Sequence, residues 1–313
     1  MSSNMGSKLR GAVVGVGYLG NFHAQKIKNN SQSELVGVFD QYTPQAQKIS
    51  SELSVPAFTD LNAMLGKVDF VTIAAATQAH YDVAQFFLKN KIPVLVEKPI
   101  AATSKQGFEL SELADKNDVV FSVGHIERFN PAYNIIKETY DQTQYFEINR
   151  LAPFRARGAD VSVLHDLMIH DLDLVQYLFK SEISDYLAYG HKFIKETIDD
   201  VSVRLVLESG LQVTINNSRL NPTIVRNYRA VQAERTVFVN TATLEGEVLK
   251  GTSSDPFYVT EKFNIAKVDA LALEVDHFIK AVKGEVSVAI TGFEASKALQ
   301  SIETILGSIE AKS

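Results

Sequence analysis

The 313-residue sequence contains no cysteine, which excludes disulfide bonds and metal sites built from thiolates. It has no apolar run long enough to span a bilayer. The first ten residues, MSSNMGSKLR, lack the apolar core of a signal peptide, so we predict a cytoplasmic protein. The formal net charge is −6, which argues against nucleic acid or an anionic membrane as the main partner.

The pattern of apolar residues changes near residue 125. Before it, short apolar strands alternate with helical segments, which predicts a doubly wound parallel sheet, a Rossmann domain, over residues 1–125. After it, long runs of β alternation predict an α+β domain with a large, mostly antiparallel sheet over residues 126–313. Ser209 and Gly210 lie between two such runs and predict a hairpin turn. One exposed sheet face predicts a homodimer or homotetramer formed through this sheet, since a large apolar face must be covered.

The first turn of the predicted Rossmann domain reads GVGYLG, a pattern typical of dinucleotide binding. Gly15 allows a tight turn, Gly17 lets a pyrophosphate approach the backbone, and Gly20 lets the following helix pack closely. The backbone amides and the positive end of the helix dipole would then face the phosphates. Tyr18 and Leu19 lie between the glycines and complete the predicted cofactor loop.

An acidic residue follows this loop at the distance expected for an NAD site. Asp40 lies at the end of the second predicted strand, where it can hold the hydroxyls of the adenosine ribose. No arginine follows it directly to receive the 2′-phosphate of NADP. The alternative is an aspartate that only caps a helix or a turn. We predict that the cofactor is NAD.

The stretch HDLMIHDLD, residues 165–173, contains two histidines and three aspartates. On a helix, Asp166, His170 and Asp173 form one polar stripe. The opposite, apolar stripe consists of Leu164, Met168, Leu172, Val175 and Phe179. The polar stripe can be a solvated surface, a metal site or a proton-handling site. The two histidines are five residues apart, on different helix faces, and no clear third ligand accompanies them, so we predict that no metal binds here.

Four motifs together resemble one protein family. GVGYLG is followed by VEKPI (96–100) at the end of the predicted fifth strand, GHIERFNP (124–131) at the end of the sixth, and HDLMIHDLD in the second domain. This set resembles the Gfo/Idh/MocA family of NAD(P)-dependent sugar and cyclitol oxidoreductases, over essentially the whole chain. The last two motifs are most similar to the branch of UDP-N-acetylglucosamine 3-dehydrogenases.

The resemblance implies a set of site residues. The catalytic residues would be Lys98, Asp166 and His170. Further cofactor contacts would come from residues near the strand ends, namely Ala75, His80, Glu97 and Lys98. The chain departs from the family at residues 74–77, where AAAT stands in place of the A-T-P that many members carry near the nicotinamide ribose.

The chemistry of alcohol oxidation suits these residue types. Hydride leaves the carbon for the nicotinamide ring while a proton leaves the oxygen, so an acid–base group must reach the hydroxyl. His170 titrates in the useful range, and Asp166 can orient it. Lys98 lies at a strand end, where its ammonium group can stabilise negative charge on the oxygen or pass on the proton.

Five arginines could recognise a diphosphate, because their forked guanidinium groups match phosphate oxygens. They are Arg128, Arg150, Arg155, Arg157 and Arg219. This predicts a nucleotide sugar as substrate, and the alternative is that these arginines face solvent or pair with acids. For the whole protein, the alternatives are a dehydrogenase of a free sugar or cyclitol and a non-catalytic NAD-binding sensor. A sensor has no use for lysine, aspartate and histidine together, so we predict an enzyme.

Overall fold

The computed structural model describes residues 7–137, 143–155, 161–194, 196–252 and 255–311. The chain divides into two compact units. Unit 1 runs to Phe129 and includes Asp269–Leu299, and unit 2 comprises Asn130–Val268 and the residues from Gln300 onward. None of the helices in the described part of the chain has the length and apolar character that crossing a membrane requires.

Strands and helices alternate regularly only in the first part of the chain. The strands are β1 (Leu9–Val14), β2 (Ser33–Phe39), β3 (Phe70–Ile73), β4 (Val94–Glu97), β5 (Phe121–Gly124), β6 (Thr143–Leu151), β7 (Ile183–His191), β8 (Asp200–Leu207), β9 (Gln212–Ser218), β10 (Val225–Gln232), β11 (Arg235–Asn240), β12 (Glu245–Thr252) and β13 (Asp255–Asn264). The helices are α1 (Tyr18–Asn29), α2 (Thr43–Leu53), α3 (Thr77–Lys89), α4 (Ser104–Asn117), α5 (Ala132–Lys137), α6 (Ile169–Phe179), α7 (Ala270–Val282) and α8 (Gly292–Glu310).

Unit 1 contains a parallel sheet of five strands in the order β2-β1-β3-β4-β5, which confirms the predicted doubly wound α/β class. The motifs VEKPI and GHIERFNP therefore follow the fourth and fifth strands, one fewer than predicted. Between β2 and β3 the chain makes a single isolated β-bridge, from Val38 to Ala57. Pro56 lies beside this bridge and has no backbone N–H to extend a ladder.

Residues from far along the chain complete the core of unit 1. Helix α7 contributes Val275, Phe278 and Ile279 to its buried apolar cluster, and the ring of Phe278 meets that of Phe70 edge-on, with centroids 5.8 Å apart. The predicted division at residue 125 left this segment in the second domain, whereas the structure assigns Asp269–Leu299 to unit 1. An amphipathic helix shows which face is buried but not which core receives it.

Unit 2 contains a sheet of eight strands in the order β13-β12-β11-β10-β6-β9-β8-β7. All neighbouring strands are antiparallel except β6 and β9, which are parallel. This confirms the predicted α+β domain with a large, mostly antiparallel sheet. The predicted hairpin joins β8 and β9, and its turn contains Gly210 at a φ of 84°, a conformation that glycine adopts without steric cost.

One face of this sheet carries a row of polar side chains, which we call the polar row. It runs in register across seven strands and consists of Ser202, Asn216, Asn149, Asn227, Asn240, Glu245 and Asn264. Amides in the row bond to each other, since Asn216 donates to Asn149 at 2.9 Å and Asn149 donates to Asn227 at 3.0 Å. The opposite face is buried and largely apolar, as Ile148 and Ile215 illustrate.

Candidate active site

The glycine loop joins β1 to α1, and each of its glycines has a different environment. Gly15 has a φ of 82°, and a Cβ on it would lie 2.5 Å from the backbone of Ala75. A Cβ on Gly20 would lie 1.8 Å from the carbonyl oxygen of Gly15. Gly17 is exposed, and a Cβ there would meet no atom within 4 Å. The loop therefore leaves backbone open for a pyrophosphate at the helix start, so these residues fit NAD.

These environments make the two glycines a matched test of the loop. Gly20→Ala should destabilise unit 1 by about 1–3 kcal/mol, because its methyl group overlaps the Gly15 carbonyl. Gly17→Ala should leave the melting temperature nearly unchanged but weaken NAD binding roughly tenfold, since its methyl group occupies the approach of the pyrophosphate. Thermal unfolding and titration with NAD measure the two effects. Unchanged NAD affinity in Gly17→Ala would argue against a pyrophosphate at this loop.

Asp40 follows β2 and supports the glycine loop directly. Its Oδ2 accepts a 2.9 Å hydrogen bond from the backbone N–H of Val16, and its Oδ1 accepts one of 2.9 Å from the N–H of Tyr42. The half-buried carboxylate thus also has the turn-forming role that the sequence left as an alternative. A negative charge beside this loop would repel the 2′-phosphate of NADP.

His80 lies on α3 and braces two backbone segments. Its Nε2 lies 3.0 Å from the carbonyl oxygen of Ala75, and its Nδ1 lies 2.8 Å from that of Pro99. Burial lowers the pKa of His80 and outweighs the two carbonyls, which raise it. A neutral ring has one N–H and donates to one of the two carbonyls, whereas a protonated ring donates to both. At 1% exposure, the ring fixes the backbone of Ala75 and of the residue after Lys98.

Glu97 and Lys98 lie at the end of β4, where a parallel sheet presents its ligands. The Glu97 side chain points inward: its Oε1 lies 2.6 Å from Nε2 of His23, and its Oε2 accepts the backbone N–H of Lys98 at 3.2 Å. Lys98 itself is half-buried. The sequence marked Glu97 as a cofactor contact, and its contacts in the structure are to the helix that follows the glycine loop and to the lysine backbone.

In unit 2, the HDLMIHDLD stretch is not one regular α-helix. Residues Leu164–Met168 form a π-helical turn that runs directly into α6. Asp166 lies in this wider turn and His170 at the start of α6, and both are half-buried. The assumed α-helical spacing of the stripe is therefore wrong over its first half. Single π-helical turns within helices occur frequently at functional sites.

The remaining acids of this stretch are buried, which excludes a fully solvated stripe. Asp171 is 0% exposed and Asp173 is 2% exposed. The Oδ1 of Asp171 accepts 3.0 and 2.8 Å hydrogen bonds from Nε and Nη2 of Arg150, and its Oδ2 accepts one of 2.7 Å from Asn217. Arg150 also donates to the hydroxyl of Tyr228 at 3.0 Å. This network, from three strands of the sheet, anchors α6 beside His170.

The arginines predicted to read a diphosphate mostly have internal partners. Arg128 donates to the carbonyl of Ala289 at 2.9 Å and lies 3.3 Å from Glu294. Arg219 lies 3.2 Å from the fully buried Asp199, and Arg150 pairs with Asp171 as described. The alternative of pairing with acids therefore holds for these three, because a buried guanidinium requires a compensating charge. Arg155 is exposed, and Arg157 lies outside the described residues.

The structure thus gathers the predicted residues into two groups. Unit 1 brings the glycine loop together with Asp40 and Ala75, and joins Glu97 to Lys98. Unit 2 places Asp166 and His170 on successive turns. That Lys98 acts with Asp166 and His170 on one substrate atom stays a prediction. The sequence did not reveal His23 as the partner of Glu97, nor Asp171 as the anchor of α6.

Two family models match the chain. One is described as the oxidoreductase family with an NAD-binding Rossmann fold, over residues 9–125, and the other as the Gfo/Idh/MocA C-terminal domain, over residues 140–237. Together they span more than half of the chain, and each model matches one of the two predicted domains.

Curated relatives and solved structures match over nearly the full length. The chain is 32% identical to a UDP-N-acetylglucosamine 3-dehydrogenase of Acidithiobacillus ferrooxidans, with 97% of this chain and 98% of that protein covered. It is 25% identical to a scyllo-inositol 2-dehydrogenase (NAD(+)) of Bacillus subtilis, with 93% and 91% covered. A solved structure of the Acidithiobacillus ferrooxidans enzyme superposes with a TM-score of 0.90 at 31% identity, with 97% and 98% covered.

Proposed function

Since this chain belongs to the Gfo/Idh/MocA family of NAD-binding oxidoreductases, we propose that it oxidises a secondary hydroxyl of UDP-N-acetylglucosamine, as a 3-dehydrogenase. The observation that carries this substrate is the full-length similarity to a protein of that activity, which exceeds the similarity to an inositol dehydrogenase. A dehydrogenase of a free cyclitol is the second candidate, on the strength of that weaker similarity. A cytoplasmic location, where NAD and activated sugars are both available, is part of this proposal.

The proposed chemistry assigns a role to each of three residues. NAD, when bound, supplies the acceptor for the hydride that leaves the sugar carbon. A ring nitrogen of His170 takes the proton from the hydroxyl, and Asp166 orients the ring. The ammonium group of Lys98 stabilises the negative charge that develops on the oxygen as its proton leaves. The products are a keto sugar, reduced cofactor and one proton, so atoms and electrons balance.

The substrate is tested by following the absorbance of reduced nicotinamide with a panel of alcohols. We expect kcat/KM for UDP-N-acetylglucosamine to exceed that for free N-acetylglucosamine roughly a hundredfold or more, because binding energy from the nucleotide stabilises the transition state. UDP alone is the control and should inhibit. Efficient turnover of scyllo-inositol with no response to the nucleotide sugar would favour the second candidate. NAD binding without turnover of any alcohol would favour a sensor.

We also propose that the chain forms a homodimer or homotetramer through the polar row and the charged residues beside it. Arg229 and Glu147 form an ion pair within this face, and their side chains are 40% and 21% exposed, so charged groups are accessible at the proposed interface. Arg229→Glu places two like charges together and should shift the protein toward the monomer, whereas Lys48→Glu in unit 1 should not. Sedimentation velocity measures the mass of each variant. A wild-type monomer at all concentrations would contradict this assembly.

A further inference from the structure

Three ionisable side chains form a buried cluster within unit 1. They are His23 on α1, Glu97 at the end of β4 and Glu274 on α7, and one nitrogen or oxygen atom of each lies within 4.8 Å of the other two. Their exposed fractions are 0%, 8% and 2%. Both carboxylate oxygens of Glu274 lack a hydrogen-bond partner among the described residues. Burying a carboxyl group that has no hydrogen-bond partner costs free energy, so the presence of Glu274 at this position requires an explanation.

The Glu97 carboxylate connects the two functional parts of unit 1. One of its oxygens bonds to His23, on the helix that begins at the glycine loop, and the other accepts the backbone N–H of Lys98. Gly124 lies opposite Glu97 on the neighbouring strand, β5, and a Cβ on Gly124 would lie 3.1 Å from the carboxyl group of Glu97. The carboxylate is therefore held from three sides, by α1, by its own strand and by β5.

The charges within the cluster are unequal. Burial raises the pKa of Glu274 well above its ordinary value, and the charge of Glu97 raises it further. Burial also raises the pKa of Glu97, but the hydrogen bond and charge of His23, together with the charge of Lys98, leave it lowered. His80 is a further titratable neighbour that interacts with Glu97. Glu97 is thus the charged carboxylate and Glu274 the neutral acid, because two buried carboxylates this close do not both ionise.

We propose that His23, Glu97 and Glu274 form a positioning cluster for Lys98, which fixes the lysine relative to the helix that follows the glycine loop. His23 acts through Glu97 and is therefore a positioning residue, and Glu274 is the neutral acid beside this pair. A neutral Glu274 leaves the negative charge on Glu97, and that charge strengthens the bonds from His23 and from the Lys98 backbone. The effect on turnover rests on the proposed function, whereas the effect on Lys98 does not.

The first experiment compares His23→Leu with His23→Gln. Leucine removes the donor to Glu97, whereas glutamine carries an N–H group of similar reach. We expect His23→Leu to lower kcat about tenfold to a hundredfold, the scale for a misplaced catalytic group, with little change in the KM for NAD. His23→Gln should recover most of this loss. Asp276→Asn, on α7 but outside the cluster, is the control and should behave as wild type.

A second readout does not depend on the substrate. The rate at which an amine-reactive ester acylates Lys98 is measured by peptide mass spectrometry, with the other lysines as internal references. We expect this rate to change at least severalfold in His23→Leu and to stay near the wild-type value in His23→Gln and Asp276→Asn. If no alcohol is oxidised, the proposed function fails while this measurement still tests the cluster. An unchanged Lys98 rate in folded His23→Leu would overturn the proposal.

Glu274→Gln tests the distribution of charge. The raised pKa of Glu274 in the folded state means that its contribution to stability is complete below the ordinary glutamate pKa and is lost as the pH rises toward the folded value. As the pH rises through this range, the folding equilibrium constant of wild type should therefore fall by up to about tenfold per pH unit relative to that of Glu274→Gln. If the stabilities of wild type and Glu274→Gln depended on pH in the same way, Glu274 would not be a neutral acid in the folded protein. A divalent cation bound stoichiometrically in the purified protein would also overturn the proposal, since Glu97 would then be a metal ligand.

Discussion

His170→Ala should lower kcat about a hundredfold or more, which is the usual scale for the loss of an acid–base group. The half-buried His170 lies where a π-helical turn passes into α6, on a helix anchored by buried ionic bonds. The NAD affinity of the variant should barely change, because the glycine loop and Asp40 belong to unit 1. Steady-state kinetics and an NAD titration of the variant measure both quantities.

The control for this variant is His191→Ala, which removes an exposed histidine on β7 of the same unit. It should retain wild-type kcat. Nearly unchanged turnover in His170→Ala would mean that His170 is not the acid–base group, and loss of wild-type activity on chelation would mean that the stretch holds a metal. Asp166→Asn should give a smaller loss than His170→Ala, since it disturbs the orientation of the ring and leaves the ring itself in place.

Asp171→Ala should reduce the free energy of unfolding by about 3–5 kcal/mol, the range measured when one partner of a buried ion pair is removed. Arg150 would keep its charge in a site where only 4% of its side chain is exposed, and Asn217 would lose its acceptor. Urea unfolding followed by circular dichroism measures the change. Because α6 loses its anchor next to His170, kcat should fall in the same variant.

A double variant separates the effect of losing the ion pair from the cost of leaving Arg150 buried without a partner charge. Asp171→Leu combined with Arg150→Met replaces both charges by apolar groups and should recover much of the stability, since the desolvation cost disappears with the charges. Glu261→Ala breaks the exposed ion pair with Lys250 and should cost less than about 1 kcal/mol. A loss in Asp171→Ala no larger than that in Glu261→Ala would show that the network does not anchor the helix.

Local patterns predicted the parts of the fold that depend on neighbouring residues. The glycine loop, the parallel sheet and the β8–β9 hairpin each follow from a short stretch of sequence, because turn geometry and strand burial are decided within a few residues.

Contacts between distant residues could not be predicted from one sequence. The bond between His23 and Glu97 joins positions 74 residues apart, and the bond between Asn217 and Asp171 joins positions 46 apart. Nothing in the local pattern distinguishes these residues from a surface histidine or aspartate. The π-helical turn is a further case, since HDLMIHDLD fits α-helical periodicity and carries no local signal for the wider turn.

The return of the C-terminal segment to unit 1 has a consequence for the order in which this protein is made. A ribosome completes all five strands of the Rossmann sheet long before it reaches Val275, Phe278 and Ile279. Until then, the nascent sheet lacks the apolar face of α7, whose Phe278 ring packs against Phe70 in the finished chain. The unit that is translated first therefore completes its core only after α7 has been synthesised. A chain truncated before residue 269 would expose apolar surface that chaperones bind.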